Sequence, residues 1–500
     1  MQTFKNFVSG FISIVGIIIF TILIYLSYTT TLINIGYETE MPTLINDNIF
    51  INILVILGIF LLCHLLNKLI NKFYEKINTD VLMILVSILM ALISIIWVLS
   101  SNACPEADQE QVCLYADQFN NNDFFGLYMG QYMSMYQHQL GLCTILRIMF
   151  AIFGTYNYKS FQILNGLSLA LLVISGIMII RNMHFNIDKK KSEIYYLLLM
   201  LLCVPLYIYT DFVYGEILSI VFSFFTFWQL LSYLNKHKTI NLILALFGLF
   251  IACLVRRNSI ILAIAIVLIL LVKLIIDHDK YIIFSLIAMI LAGTLSFVIP
   301  NVLYKEHMFS DSKTTPASLY IAMGLRGENG YYDGFVLYTF IDVDFDPDKA
   351  NEVAMDCIEN RLAYFGEHKD EAYRFFYNKI NTQWNVPLFQ CYVMNHNING
   401  KSGGIATALY EGTLNKITNI IGKYYHLFMY TMLFLFSIYS YKNKKTIKLE
   451  DYIFLVYIIG GFLFSIMWEA KARYVLPYFI CMIPYCGVMI NVLVNKSKAI

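Results

Sequence analysis

Charge is scarce in this sequence. Asp, Glu, Lys and Arg make up 14% of its 500 residues, while 59% are hydrophobic. A soluble protein of this size needs more charge to cover its surface. The net charge of +1 supplies no global field for nucleic acid, so no nucleic-acid partner is expected. Other signals are missing as well. There is no CxxC pair, no zinc-type Cys/His spacing and no lipidation motif. No internal repeat is visible, which counts against transporters built from inverted repeats.

What the sequence has instead is long apolar runs, which a soluble core does not require. A spanning helix needs roughly 20 apolar residues. The segments that qualify are 9–33, 48–71, 80–100, 161–180, 193–211, 214–234, 240–255, 258–276, 281–303, 417–440, 451–470 and 474–494. The first run is too long for a signal-peptide core and no small-residue cleavage site follows it, so a retained helix is expected. The fold class is therefore an all-α polytopic membrane protein with about 12 transmembrane helices. The abundance of Ile, Asn, Lys and Tyr is compatible with a low-GC bacterium, and so with a bacterial cytoplasmic membrane.

One stretch decides the orientation. Segment 139–154 is short and carries Arg147 at its middle. An arginine at mid-membrane costs several kcal/mol, and a helix lying at the interface avoids that cost. With 139–154 interfacial, the basic segments 68–76, 181–191, 236–238, 273–280, 442–448 and 496–498 all fall on one side. That side is the cytoplasm by the positive-inside rule. The polar segments then face outside: 34–47 with Glu38, Glu40 and Asp47, 101–160, and 304–416. Three tight outer turns join them, at 211–216, 256–258 and 469–473. The expected divisions are a two-helix addition at 1–79, a core at 80–303 containing the first outer loop 101–160, an extracytoplasmic helical cap at 304–416, and C-terminal helices at 417–500.

The outer segments hold the chemistry. Glu106, Asp108, Glu110, Asp117 and Asp123 crowd the first loop. A partly buried carboxylate at a membrane surface suits a general base. The plainer alternative is a solvated acidic loop. Asp108 stands out because it follows Pro105 where helix 80–100 anchors the chain. His138 opens the interfacial helix, where it is placed either to hydrogen-bond a substrate or to serve packing. Asp211 and Glu216 share a short turn and could bind a cation or a sugar hydroxyl. Arg256 and Arg257 face outside against the positive-inside tendency, and guanidinium groups suit phosphate. Glu469, Lys471 and Arg473 lie at i, i+2 and i+4, followed by Tyr474. They read either as a helix-face ion pair or as a clamp for an anionic head group. Cys104, Cys113, Cys357 and Cys391 are outer cysteines that an oxidising exterior permits to pair.

The order and sidedness of these motifs resemble a GT-C glycosyltransferase of the family 39, protein O-mannosyltransferase-like, bacterial branch. The resemblance covers roughly 80–494. It rests on Pro105-x-x-Asp108, Tyr136-Gln-His-Gln-Leu-Gly141, Phe153-Gly154, Tyr214-Gly-Glu216 and Glu469-x-Lys-x-Arg473-Tyr474. In the cap, Met323-Gly324, Asn329-Gly-Tyr331 and Gln383-Trp384 contribute. It implies transfer of a sugar from a polyprenyl-phosphate donor to a cell-envelope glycan, lipid or protein acceptor outside the membrane, with inversion. Asp108, with Glu106, is the expected base. Many relatives carry Asp-Glu or Asp-x-Asp there, whereas this chain has Glu106-Ala-Asp108, which leaves a divalent cation open. Arg256, Arg257, Lys471 and Arg473 would meet the donor phosphate, with Arg147 a further outer cation. His138, Asp211, Glu216, Glu469 and Tyr474 are the substrate-binding candidates. Two alternatives stand beside it: a polymerase or ligase of lipid-linked polysaccharides, and a transporter or flippase. The second predicts ionisable residues deep in the helices, and the mid-helix positions here are almost wholly apolar.

Overall fold

The computed structural model describes residues 1–34, 40–308, 313–396 and 404–496. Glu38, Lys498 and parts of the cap segment (309–312 and 397–403) lie outside the described residues. In chain order the principal helices are α1 Gln2–Thr29, α2 Ile49–Phe73, α3 Thr79–Ser101, α4 Asp108–Asn120, α5 Leu140–Phe153, α6 Tyr158–Asn182, α7 Lys189–Leu202 and α8 Val204–Ile208. They continue as α9 Glu216–Lys236, α10 Thr239–Val255, α11 Ile260–Asp277 and α12 Lys280–Tyr304. The cap contributes α13 Ala317–Gly324, α14 Phe335–Asp342, α15 Pro347–Glu367 and α16 Lys369–Trp384. The chain closes with α17 Thr413–Lys442, α18 Ile453–Met467, α19 Leu476–Ile480 and α20 Ile483–Lys496.

Among the described residues nine helices are long and apolar enough to cross a membrane. The pair α7–α8, bent by 58°, makes a tenth. The bend falls where Pro205 opens α8, because proline cannot continue the preceding ladder. Helix α10 has 17 residues and misses the length criterion. Helix α17 is long enough, but Asn415, Lys416, Asn419, Lys423 and His426 make its first half polar. The protein is therefore a multi-pass, all-α membrane protein.

The basic loops collect at one end of the bundle. There Arg181 pairs with Asp80 at 2.7 Å and Glu193 at 2.9 Å, Lys273 pairs with Glu450 at 3.2 Å, and His184 meets Asp451 at 3.3 Å. The opposite end gathers the acidic first loop and the three tight turns. Helix α5 stays at that end. Its 14 residues rise only ~21 Å, short of the ~30 Å hydrocarbon core. Arg147 explains the placement. Its guanidinium donates to the Phe119 carbonyl at 3.1 Å and to Asn120 Oδ1 at 3.3 Å, satisfying the C-terminus of α4. The rings of Phe119, Phe124 and Tyr304 surround it within 5.9 Å.

The N-terminal helices pack into the bundle. Helix α1 lies along α17, and the strands Thr30–Ile33 and Thr43–Asn46 pair antiparallel after it. The Leu32 amide donates to the Asn385 carbonyl at 3.2 Å, which ties this hairpin to the end of α16. The cap has its own small core, in which Leu319, Ala322, Met323, Val336, Phe340, Ala350 and Ala354 bury against Met135 of the first loop. Trp384, fully buried, donates to Ser465 Oγ at 2.8 Å and anchors the cap to α18. Among the described residues no disulfide joins Cys104, Cys113, Cys357 and Cys391.

Candidate active site

The turn 209–215 is the floor of the site, and polar side chains hold it from below. Gln162 of α6 donates to the Asp211 carbonyl at 2.8 Å, and Asn165 donates to the Thr210 and Phe212 carbonyls at 3.1 and 3.3 Å. Gln109 accepts from the Val213 amide at 2.8 Å, which couples the turn to the start of α4. Buried amide donors of this kind are needed because backbone carbonyls between helices have no water to bond. Gly215 then turns the chain with φ of +89°. A Cβ there would lie 2.5 Å from the Val255 carbonyl oxygen. The glycine thus lets the start of α9 approach the end of α10, and brings Glu216 to Arg256.

Two guanidiniums meet over this floor. Arg256 Nη2 lies 3.0 Å from Glu216 Oε1, with Glu216 buried and Arg256 largely so. Arg473 is 6% exposed, yet among the described residues no carboxylate forms an ion pair with it and its Nε has no hydrogen-bond partner. Aromatic faces hold it instead, with Tyr214, Tyr474 and Phe212 at 5.2, 5.3 and 5.5 Å. The rings of Tyr214 and Tyr474 also face Arg256, at 5.2 and 5.5 Å. A buried cation whose counter-charges, Glu216 and Asp108, act only from a distance is costly. Aromatic faces recover part of that cost, and an anionic ligand would recover the rest.

Asp108 opens α4 on the other side of Tyr214. Its Oδ2 accepts from the Tyr214 hydroxyl at 3.2 Å. The preceding residue, Ala107, has φ of +50°, a left-handed conformation that favours glycine. Such strain persists only where the surroundings impose it, and it sets the direction of Asp108. His138 is reached through Gln139, whose Nε2 lies 3.1 Å from His138 Nε2 and 2.6 Å from the Tyr214 hydroxyl. The His138 side chain is exposed at its edge but crowded by protein. That crowding, with the charges of Arg257 and Arg256, pushes its pKa down to about 4, so the ring is neutral.

The late turn adds a second layer. Helix α18 ends at Met467, so Glu469, Lys471 and Arg473 are not on one helical face, and the i, i+4 pair is not made. Extended backbone sends them apart. Glu469 accepts from the Tyr474 hydroxyl at 3.0 Å and lies 3.7 Å from Lys471. Lys471 turns to Glu40 in the segment after α1, at 3.1 Å. Burial alone would raise the Glu40 carboxyl, but Lys471 and Arg473 hold it below its ordinary value. Tyr331 of the cap donates to the same carboxylate at 3.1 Å. Behind them lies Lys379 of α16, fully buried, which donates to the Gly324 and Trp468 carbonyls and ties the cap to the late turn.

Asp108, His138, Glu216, Arg256, Glu469, Lys471, Arg473 and Tyr474 therefore form one connected group. Three other candidates make no hydrogen bond or ion pair with it among the described residues, although the charge of Arg257 reaches His138. Glu106 is exposed outside α4. Arg257 turns toward α12, donating to the Ser296 carbonyl at 3.1 Å with Phe297 3.8 Å away. Asp211 is buried under the turn in the field of Lys159, away from Glu216. Among the described residues no three His, Cys, Asp or Glu side chains gather to hold a metal ion. The site also includes residues to which the sequence assigned no site role: Tyr214 as a hub, Gln139, Glu40, Tyr331 and Lys379. Tyr214, Gln139 and Tyr331 lie inside motifs that carry the resemblance, and Glu40 is one of the acids of segment 34–47. Lys379 arrives from a distant segment and carried no signal.

No known family matches the chain, and no curated protein matches its sequence. The solved structures similar to it include two membrane proteins. The archaeal oligosaccharyltransferase AglB from Archaeoglobus fulgidus, in complex with an inhibitory peptide and a dolichol-phosphate, aligns over 86% of this chain and 51% of its own at 13% identity, with a TM-score of 0.42. ArnT from Cupriavidus metallidurans, bound to undecaprenyl phosphate, aligns over 81% of this chain and 77% of its own at 10% identity, with a TM-score of 0.34. The chain spans about half the length of the oligosaccharyltransferase.

Proposed function

We propose that this chain is a GT-C glycosyltransferase that moves a sugar from a polyprenyl-phosphate donor to a cell-envelope acceptor on the outer face of a bacterial cytoplasmic membrane. One observation carries the reading. A carboxylate, Asp108, and a buried guanidinium without an ion-pair partner, Arg473, stand on opposite sides of a single tyrosine, Tyr214. That is the pairing an inverting transfer from a phosphate leaving group needs.

In this reading Asp108 takes the proton of the acceptor hydroxyl as its oxygen bonds to the anomeric carbon. The bond from that carbon to the phosphate oxygen breaks on the opposite face, and the configuration inverts. Negative charge grows on the departing phosphate. Arg473 and Arg256, fixed beforehand by Tyr214 and Tyr474, stabilise it without reorganising. Lys471 and Glu469 line the side toward the cap and suit sugar hydroxyls. The cap limits water, and so hydrolysis of the donor. The prenyl chain stays in the bilayer, which gives a sugar transferase a reason to be built from membrane helices.

The test uses purified protein in proteoliposomes with radiolabelled polyprenyl-phosphate hexoses and envelope extract as acceptor. Wild type transfers label, and Asp108→Asn abolishes transfer while the protein still binds the donor. Near-normal transfer by Asp108→Asn would remove Asp108 as the base. Failure of the wild type to consume any such donor would remove the activity itself.

A further inference from the structure

The Tyr214 hydroxyl stands where the two halves of the site meet. It lies 3.2 Å from Asp108 Oδ2, 2.6 Å from Gln139 Nε2 and 3.5 Å from the Tyr132 hydroxyl. The direction of this chain follows from valence. An ionised carboxylate only accepts, so the Tyr214 proton goes to Asp108. The same phenolic oxygen is then free to accept, and Gln139 must present its amide nitrogen to it. The second hydrogen on that nitrogen reaches His138 Nε2 at 3.1 Å. An imidazole nitrogen accepts only in the neutral ring, which is the form the crowded, cation-flanked His138 holds at neutral pH. Gln139 is itself buried, so turning its amide over would strand the Tyr214 oxygen without a donor. Its backbone fixes it further, since it enters α5 directly and the Leu254 carbonyl packs against the Cα of Gly141 two residues later.

We infer that Tyr214 is a positioning residue for the transfer. Its hydroxyl holds one oxygen of Asp108 and leaves the other to receive the acceptor's proton, with Gln139 and His138 fixing the direction of that hydrogen bond. Its ring meanwhile supports Arg256 and Arg473 on the donor side. One side chain therefore sets the separation between base and leaving-group cations. This rests on the transferase reading above.

The split between the two roles makes the inference testable. Tyr214→Phe keeps the ring and removes the hydroxyl. It lowers kcat at least tenfold and leaves the donor KM within about twofold of wild type. Gln139→Leu keeps Tyr214 in place and removes what fixes its direction. It lowers kcat with the same unchanged donor KM, and carries the test alone if Tyr214→Phe does not fold. Both variants are compared with Asp108→Asn and wild type in the same proteoliposomes, with thermal unfolding recorded for each. A residue of purely structural importance would lower the unfolding temperature and impair kcat and KM together. That outcome overturns the inference, as does a Tyr214→Phe kcat within twofold of wild type while Asp108→Asn is inactive. An inactive wild type would instead overturn the transferase reading, and an active Asp108→Asn would remove Asp108 as the base and this inference with it.

Discussion

The pair Glu216–Arg256 gives the sharpest test of how the site is held together. Its members are 1% and 10% exposed at a separation of 3.0 Å. At an effective dielectric of 20 the attraction at that distance is about 5–6 kcal/mol before desolvation is subtracted. Desolvation cancels much of it, so the intact pair contributes little net stability. Breaking it is different. Arg256→Met leaves a buried carboxylate with only the more distant Arg473 as counter-charge and costs about 3–5 kcal/mol. Glu216→Gln costs less, because Arg256 keeps the faces of Tyr214 and Tyr474. The double variant removes both charges and recovers most of the loss. The expected coupling is at least about 2 kcal/mol. Reversible unfolding of the micelle-solubilised protein, followed by tryptophan fluorescence, measures the cycle. Trp384 and Trp468 both lie near the site and report its opening. Single-variant effects that add to within about 0.5 kcal/mol would refute the reasoning, because independent sites behave that way.

Other consequences follow from the same contacts. Arg473→Gln removes the guanidinium without an ion-pair partner and raises the donor KM about tenfold or more, whereas Arg257→Gln, at a residue turned toward Phe297, changes it by less than about threefold; donor titration in steady-state transfer distinguishes them. Lys379 makes stability depend on pH. Burial pushes its pKa down to about 7, against the raising effect of Glu469. The unfolded chain then binds more protons than the folded one between about pH 7 and pH 10.5, so stability rises with pH there by up to about 1.4 kcal/mol per unit. Lys379→Met flattens that rise, and parallel pH series of unfolding for the two proteins give the difference. An unchanged slope would place the ammonium in water.

Much of the architecture was legible before any folding, for reasons rooted in the solvent. A lipid bilayer accepts long apolar helices and rejects charge, so run length and the side on which lysines fall settle both the fold class and the grouping of the polar ends. The interfacial reading of 139–154 belongs to the same logic, since Arg147 is affordable only where the end of α4 offers it carbonyls. Spacing misled where it assumed regular structure. Glu469 and Arg473 looked like helix neighbours, but α18 stops at Met467 and the backbone beyond it is extended. Arg256 and Arg257 looked like one cation pair, yet adjacent residues on a turn point to different helices, one to Glu216 and the other to Ser296.

The sequence by itself determined a multi-pass helical protein with its chemistry at one end, because hydrophobic partition acts on each segment separately. Only the tertiary structure decided which polar residues share a cavity. Tyr214 touches Asp108, Gln139, Arg256 and Arg473 only because Gly215 lets two helix ends approach and because α4 and α5 fold back over the turn. Glu40 meets Lys471 across most of the chain length. Such contacts depend on packing between distant segments, and no local pattern encodes them.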